Sequence, residues 1–299
     1  DLAGSLRLPA SWCGVTSLIP TEGRFDNAGM LPKTNRIEHF ARMGPIARSA
    51  NDLRFFWKTL TGEDHLLSQS RKTSLQTWDQ GHQAAMEKCV STQWSKLGAN
   101  LINENFDFEQ DSMEALFSSE TRQLFGEIMG FESAAMLPFF LRWLLRRDAD
   151  AIMRSPHFLR HVYQGYRRDK RQHAKNLKLL QTLRQRALRQ FENCDALVLP
   201  VSGVAAFPHV QPIKDRGGVR TYDKTFETKA GRMPYLDALT YFTVPVGILG
   251  WPIVTLPYAT DENGLPIGLQ LVGKPNEDAK LLSIACGLER TISDIKPVA

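Results

Sequence analysis

Cysteine is scarce in this chain: four residues in 299, Cys13, Cys89, Cys194 and Cys286, each far from the others. None belongs to a Cys-x-x-Cys pair, so neither a disulfide framework nor a thiolate metal site is encoded, and reduced thiols are expected. Long apolar runs are missing as well. No stretch of about eighteen apolar residues is present to span a bilayer, and no basic segment leads into an apolar one near the start. Insertion and export are therefore not encoded, which makes the cytoplasm the expected location. Internal repeats and low-complexity linkers are absent too, so residues 1–299 read as one domain.

What is present suits a packed interior. Hydrophobic residues make up 42% of the chain against 23% charged, enough to bury a sizeable core. Formal net charge is +5, and the excess is concentrated between residues 142 and 189. A run such as Arg167-Arg168-Asp169-Lys170-Arg171 raises a nucleic-acid reading. Against it, Leu159, Val162, Tyr163, Tyr166, Leu177, Leu180 and Leu183 recur at helical spacing. The cations are therefore expected on the solvated face of an amphipathic helix, and nucleic acid is not an expected partner.

Local signals place the elements. Leu53, Phe56, Trp57 and Leu60 predict a helix over 51–61, with Ser49 or Asn51 as N-cap and Gly62 as its stop. Further helices are expected at 83–97, 112–129 and 132–146, then along one periodic run at 156–192. Strands are expected at 15–19, 196–200, 253–258 and 267–272, the last two joined as a hairpin by Asp261-Glu262-Asn263-Gly264. Alternation in the last strand predicts one covered face. Buried strands among many helices give an α/β architecture.

The chemistry concentrates at the start. Ala3 and Gly4 are small enough for main-chain N–H groups to crowd around the Ser5 hydroxyl, as needed when a serine attacks a carbonyl and its oxyanion must be held. Downstream come Cys13-Gly14-Val15, then Leu18-Ile19-Pro20-Thr21-Glu22-Gly23-Arg24 and Gly44-Pro45-Ile46-Ala47-Arg48-Ser49. Near the other end stand Gly250-Trp251-Pro252-Ile253-Val254-Thr255-Leu256-Pro257 and Gly264-Leu265-Pro266-Ile267-Gly268-Leu269-Gln270-Leu271-Val272-Gly273. In content and order these blocks resemble the amidase signature family of serine hydrolases.

The resemblance implies a large mixed β-sheet flanked by helices on both sides, with the N-terminal part of the domain missing. It implies that Ser5 is the acyl-forming nucleophile and that the main-chain N–H groups of Leu2, Ala3, Gly4 and Ser5 form an oxyanion hole. In the family the base is a lysine relayed through a second serine with a cis peptide bond, made neutral by burial. Both lie upstream of the nucleophile. Lys33 and Lys58 fall outside that lysine motif, so the 299 residues alone are expected to be inactive. A chain without the upstream elements is also expected to expose apolar sheet faces.

Around the serine, Asp1 and Arg7 are expected to brace the loop, Arg48 to staple backbone carbonyls, Gln270 to be a buried hydrogen-bonding residue and Cys13 a small packing residue. Three positions depart from the family pattern: Ala3 for a glycine, Ala41 for an aspartate and Gly247 for an asparagine. The expected reaction is hydrolysis of a small-molecule carboxylic amide, with no metal or other cofactor implied and a homodimer left open. Residues 65–190 carry no family motif, and Phe131, Met136, Leu137, Phe139, Phe140 and Trp143 fit an apolar acyl pocket less well than a packed core. Two alternatives stand beside the amidase: an inactive scaffold, and an amidotransferase-type subunit that works on aminoacyl-tRNA. A Ser-His-Asp hydrolase using His39 and Asp52 lacks the Gly-x-Ser-x-Gly elbow around Ser5.

Overall fold

The computed structural model describes residues 1–26, 39–66, 74–77, 100–101, 116–134, 159–189, 194–216, 219–228, 231–261 and 263–292. Helix α1 (Arg7–Cys13) ends at Gly14, whose left-handed backbone turns the chain into strand β1 (Thr16–Ile19). After the short β2 (Ile46–Ala47), helix α2 (Ala50–Thr61) begins where the Ser49 hydroxyl accepts the Asp52 N–H and stops at left-handed Gly62, both as expected. Strands β3 (Ser74–Thr77) and β4 (Asn100–Leu101) follow.

The middle is helical, but its segmentation differs from the sequence reading. Helix α3 (Ser119–Ala134) runs through residues 130–131, where the sequence predicts a break between two helices. Gly130 is not a terminator but a contact point. A Cβ on it would lie 2.0 Å from the Val162 carbonyl oxygen, and one on Gly126 would lie 2.4 Å from the His161 Cβ. Glycine lets α3 press directly on helix α4 (Leu159–Tyr166), and Gly165 answers from the other side, with the Glu127 carbonyl 2.4 Å from where its Cβ would be. The periodic run at 156–192 is likewise two helices. It breaks at Arg167–Asp169, and Asp169 caps helix α5 (Lys170–Leu188) by accepting the Gln172 N–H. Val162, Tyr163 and Leu180 are buried while Arg167, Lys170, Arg171 and Lys178 are exposed, the amphipathic arrangement anticipated. The expected helix at 83–97, most of 132–146, Lys33, Cys89, Met136, Leu137, Phe139, Phe140 and Trp143 lie outside the described residues.

Strand β5 (Ala196–Pro200) is followed by two small hairpins: β6 (Lys214–Arg216) with β7 (Val219–Thr221), and β8 (Thr225–Thr228) with β9 (Gly231–Pro234). Helices α6 (Tyr235–Thr240) and α7 (Thr243–Gly247) lead into the hairpin of β10 (Ile253–Thr260) and β11 (Pro266–Val272), and helix α8 (Asp278–Thr291) closes the described chain. The hairpin turn is the one expected: the Asp261 carboxylate accepts the N–H groups of Asn263 and Leu265, and Gly264 takes a φ of 79°.

The main sheet is mixed, in the order β2-β1-β10-β11-β5-β3-β4. The first five strands pair antiparallel, and β3 and β4 add parallel to β5. Alternate side chains feed two cores, one on each face. Val254, Leu256, Leu269 and Leu271 join Leu53, Trp57 and Leu282 of α2 and α8 on one side. Ile253, Leu197 and Leu199 join Phe125, Ile128 and Leu180 of α3 and α5 on the other. Strand β11 is consequently buried at all seven positions, not on one face as its alternation suggested. Its second face is covered in part by α1, where Ser11 accepts the Gly268 N–H at 2.8 Å and occupies the space a Cβ at 268 would take.

Candidate functional site

The serine loop is residues Asp1 to Leu6, and its shape is dictated by Asp1. The Asp1 carboxylate accepts the N–H groups of Gly4 and Leu6 at 3.0 Å and of Arg7 at 3.3 Å, folding the loop over itself and capping the start of α1. The same carboxylate pairs with the Arg7 guanidinium, at 2.9 Å to one terminal nitrogen and 3.3 Å to Nε. Gly4 carries a φ of 127°, and a Cβ there would sit 3.0 Å from the Thr243 Oγ1, so the turn needs glycine on both counts. Ser5, at the crest, is exposed.

Beneath it lies a buried polar lattice. Arg7 is 0% exposed and donates its remaining guanidinium N–H groups to the Thr243 carbonyl at 2.8 Å and the Gln270 Oε1 at 3.2 Å. The Gln270 amide donates in turn to the carbonyls of Pro200 at 2.8 Å and Phe242 at 3.2 Å. The Thr243 hydroxyl donates to the Ala3 carbonyl at 2.6 Å. Burial pushes Arg7 down to about 9, still protonated at neutral pH. Gln270 thus ties β11, the end of β5 and the start of α7 to the loop, and every buried charge here is paired or hydrogen-bonded.

Arg42 is a residue whose role the sequence pattern does not announce. Its main chain pairs with Asp1 in both directions, the Asp1 nitrogen donating to the Arg42 carbonyl and the Arg42 N–H to the Asp1 carbonyl. Its buried guanidinium donates to the carbonyls of Pro20 and Trp251 at 3.0 and 2.5 Å. This is the stapling role expected of Arg48. Arg48 instead has a side chain 90% exposed, 4.0 Å from Asp52 one helical turn along, just beyond the edge strand β2. Cys13 also departs from expectation: it is exposed, since α1 buries its Arg7, Ala10 and Ser11 face instead.

Of the predicted site residues, Leu2 and Ala3 are half-buried beside Ser5, and the Gly4 N–H is already engaged by Asp1. The three departures from the family pattern have local explanations at two positions. Ala3 keeps a φ that an L-residue adopts readily, because the positive φ falls on Gly4. A Cβ at Gly247 would lie 3.2 Å from the Arg7 guanidinium, so glycine there leaves room for the arginine. His39 and Asp52 are not brought to Ser5. His39 Nδ1 lies 2.6 Å from the Glu132 Oε1 of α3, and Asp52 pairs outward with Arg48. Lys58 is on α2, paired with Asp64 at 3.1 Å.

A second charged group borders the same region. The Arg122 guanidinium of α3 lies 4.7 Å over the Tyr241 ring, which also meets Phe117 and Phe242 in the cluster that receives Leu2 and Ala3. Burial raises the Asp237 carboxyl above its usual range, partly opposed by the Arg122 charge. Among the described residues no group of histidine, cysteine and carboxylate side chains is arranged to hold a metal ion, and no helix is long and apolar enough to cross a membrane.

Comparison with known proteins gives a consistent result. The family model described as Amidase matches residues 1–282. The chain is 26% identical over 334 residues to a subunit of the glutamyl-tRNA(Gln) amidotransferase of a Nostoc species, covering 98% of this chain and 63% of that protein. It is 28% identical over 305 residues to the 2-amino-5-chloromuconic acid deaminase of Comamonas testosteroni, covering 98% and 59%. Among solved structures, an amidase superposes with a TM-score of 0.68 at 23% identity, covering 97% of this chain and 61% of that one. A 6-aminohexanoate cyclic dimer hydrolase superposes with a TM-score of 0.66 at 20% identity, covering 99% and 65%. The chain thus spans a little under two thirds of the length of these relatives.

Proposed function

The chain belongs to the amidase signature family, and on that footing we propose that it carries the nucleophile of an enzyme that hydrolyses a carboxylic amide through an acyl intermediate on Ser5. The observation that carries this reading is the exposed Ser5 on a loop clamped from below by Asp1, Arg7, Thr243 and Gln270. Such preorganisation costs nothing at the moment of reaction, which is what a developing oxyanion requires.

The Ser5 Oγ attacks the amide carbon, and its proton passes through a second serine to a neutral lysine, both contributed from outside residues 1–299. The carbonyl oxygen takes up the negative charge against main-chain N–H groups of Leu2, Ala3 and Ser5, the Gly4 N–H being held by Asp1. Collapse breaks the C–N bond, the nitrogen leaves with the returned proton, and water then releases the acid from Ser5 by the same route. Asp1 and Arg7 position the loop and transfer no proton.

An amidotransferase-type subunit is the second reading, favoured by the similarity to the Nostoc protein. The test of the first is labelling of the natural polypeptide with a fluorophosphonate and mapping of the modified peptide. Label on Ser5, lost in Ser5→Ala together with about a thousandfold or more of amide turnover, is the expected result. An active protein with Ser5 unlabelled overturns it.

A further inference from the structure

Five aromatic side chains stand outside both cores. Trp12 of α1, Phe207 beyond β5, Tyr222, Phe226 of β8 and Tyr235 at the start of α6 form one cluster, each of them only half-buried. Phe207 is its hub, with ring centroids 5.4 Å from Trp12, 4.9 Å from Phe226 and 5.6 Å from Tyr235, and Tyr222 stacks on Tyr235 at 4.3 Å. Half-buried aromatic rings grouped outside the cores keep part of their surface in reach of water, and a contiguous apolar patch of that kind is a candidate ligand surface.

A charge is built into this box. The Lys224 ammonium lies 5.4 Å from the Phe207 centroid and 5.2 Å from that of Phe226. Among the described residues it has no carboxylate within ion-pair distance. Attraction to the ring faces fixes an ammonium without neutralising it. The ammonium thus sits over two of the rings, and the surface offers aromatic area beside a held positive charge, the complement of a planar group that carries a carboxylate.

Its position relates it to the serine. Trp12 lies seven residues beyond Ser5 in the direction of α1, about 10 Å at the helical rise. The Trp12 indole N–H donates to the Val204 carbonyl at 3.4 Å, in the segment that continues from Pro200, whose carbonyl Gln270 grips. Box and nucleophile loop are thus two ends of α1 on one scaffold.

We infer that the box of Trp12, Phe207, Phe226 and Tyr235, with Lys224, is the subsite that recognises a planar, carboxylate-bearing part of the amide substrate, an aromatic or conjugated acid. The rings stack on its plane and Lys224 pairs with its carboxylate. This rests on the assignment of Ser5 as the acyl-forming nucleophile.

The experiment is calorimetric titration of the natural full-length protein, as the Ser5→Ala variant so that nothing is turned over, with 4-acetamidobenzoate and with acetanilide, its neutral counterpart. The acid is expected to bind about tenfold tighter or more, the scale of a charge-assisted contact. Lys224→Met removes that preference, Lys224→Arg keeps it, and Phe207→Ala weakens both ligands. Equal affinities in the parent overturn the inference, as does a Lys224→Met variant that weakens both ligands alike. Binding is read without the nucleophile, so its failure leaves the labelling of Ser5 standing, and failure of labelling leaves the binding result standing.

Discussion

Arg7 and Asp1 bury opposite charges with their hydrogen-bonding capacity distributed over five groups of the loop and sheet. Removing one partner leaves the other charge stranded in an apolar setting. Arg7→Met is therefore expected to cost about 3–5 kcal/mol in urea unfolding. The double variant Asp1→Asn, Arg7→Met should cost less than the sum of the singles, and additivity would show the pair to be uncoupled. His39 carries a pH dependence. Burial alone would lower its value, but the hydrogen bond and charge of Glu132, aided by Glu22, raise it above the usual histidine range. A raised folded value means stability that is fully present below about pH 6.5 and lost as pH climbs through the folded value. Unfolding midpoints across that window should fall with rising pH, and His39→Gln should flatten the slope. Ser5, Asp1, Arg7 and Gln270 all stand out by their sequence context. Arg42 does not, because its partners are carbonyls at positions 20 and 251 and a carbonyl has no signature in a sequence.

At the level of elements, the parts legible along the chain are those whose determinants are local. Ser49 and Gly62 bracket α2 by their own backbone chemistry, and Asp261 to Gly264 close the β10–β11 hairpin by theirs. Where a residue serves a neighbour, the sequence misleads. Gly130 falls where the sequence reading breaks the helix, yet with Gly126 and Gly165 it is where α3 and α4 touch closely. Gly130→Ala would place a methyl on the Val162 carbonyl, and since overpacking commonly costs about 1–3 kcal/mol, a loss at or above the top of that range is expected by thermal or chemical unfolding. A neutral substitution would mean that the two helices slide apart freely. Ser49→Ala, which removes only the local cap, should cost about 1 kcal/mol.

For the whole molecule, the sheet places β1 beside β10 and β5 beside β11, so neighbours in space come from distant stretches of the chain. The serine loop shares this property, since Arg7 bonds to residues 243 and 270. Its order is a property of the completed fold, not of its own few residues. Amide hydrogens of Gly4 and Leu6 are therefore expected to exchange only through global opening, with protection matching the total unfolding free energy. Exchange by a cheaper local route would show that the loop breathes independently of the sheet.

The same topology sets an order of events during synthesis. Ser5 leaves the ribosome well ahead of the carbonyls and amides that hold its loop, which belong to residues 243 and 270. At the pace of translation that is a wait on the order of ten seconds or more. A message cut short before the β10–β11 hairpin therefore yields a chain in which Ser5 is present but Gln270, one of the groups that set its loop, is not.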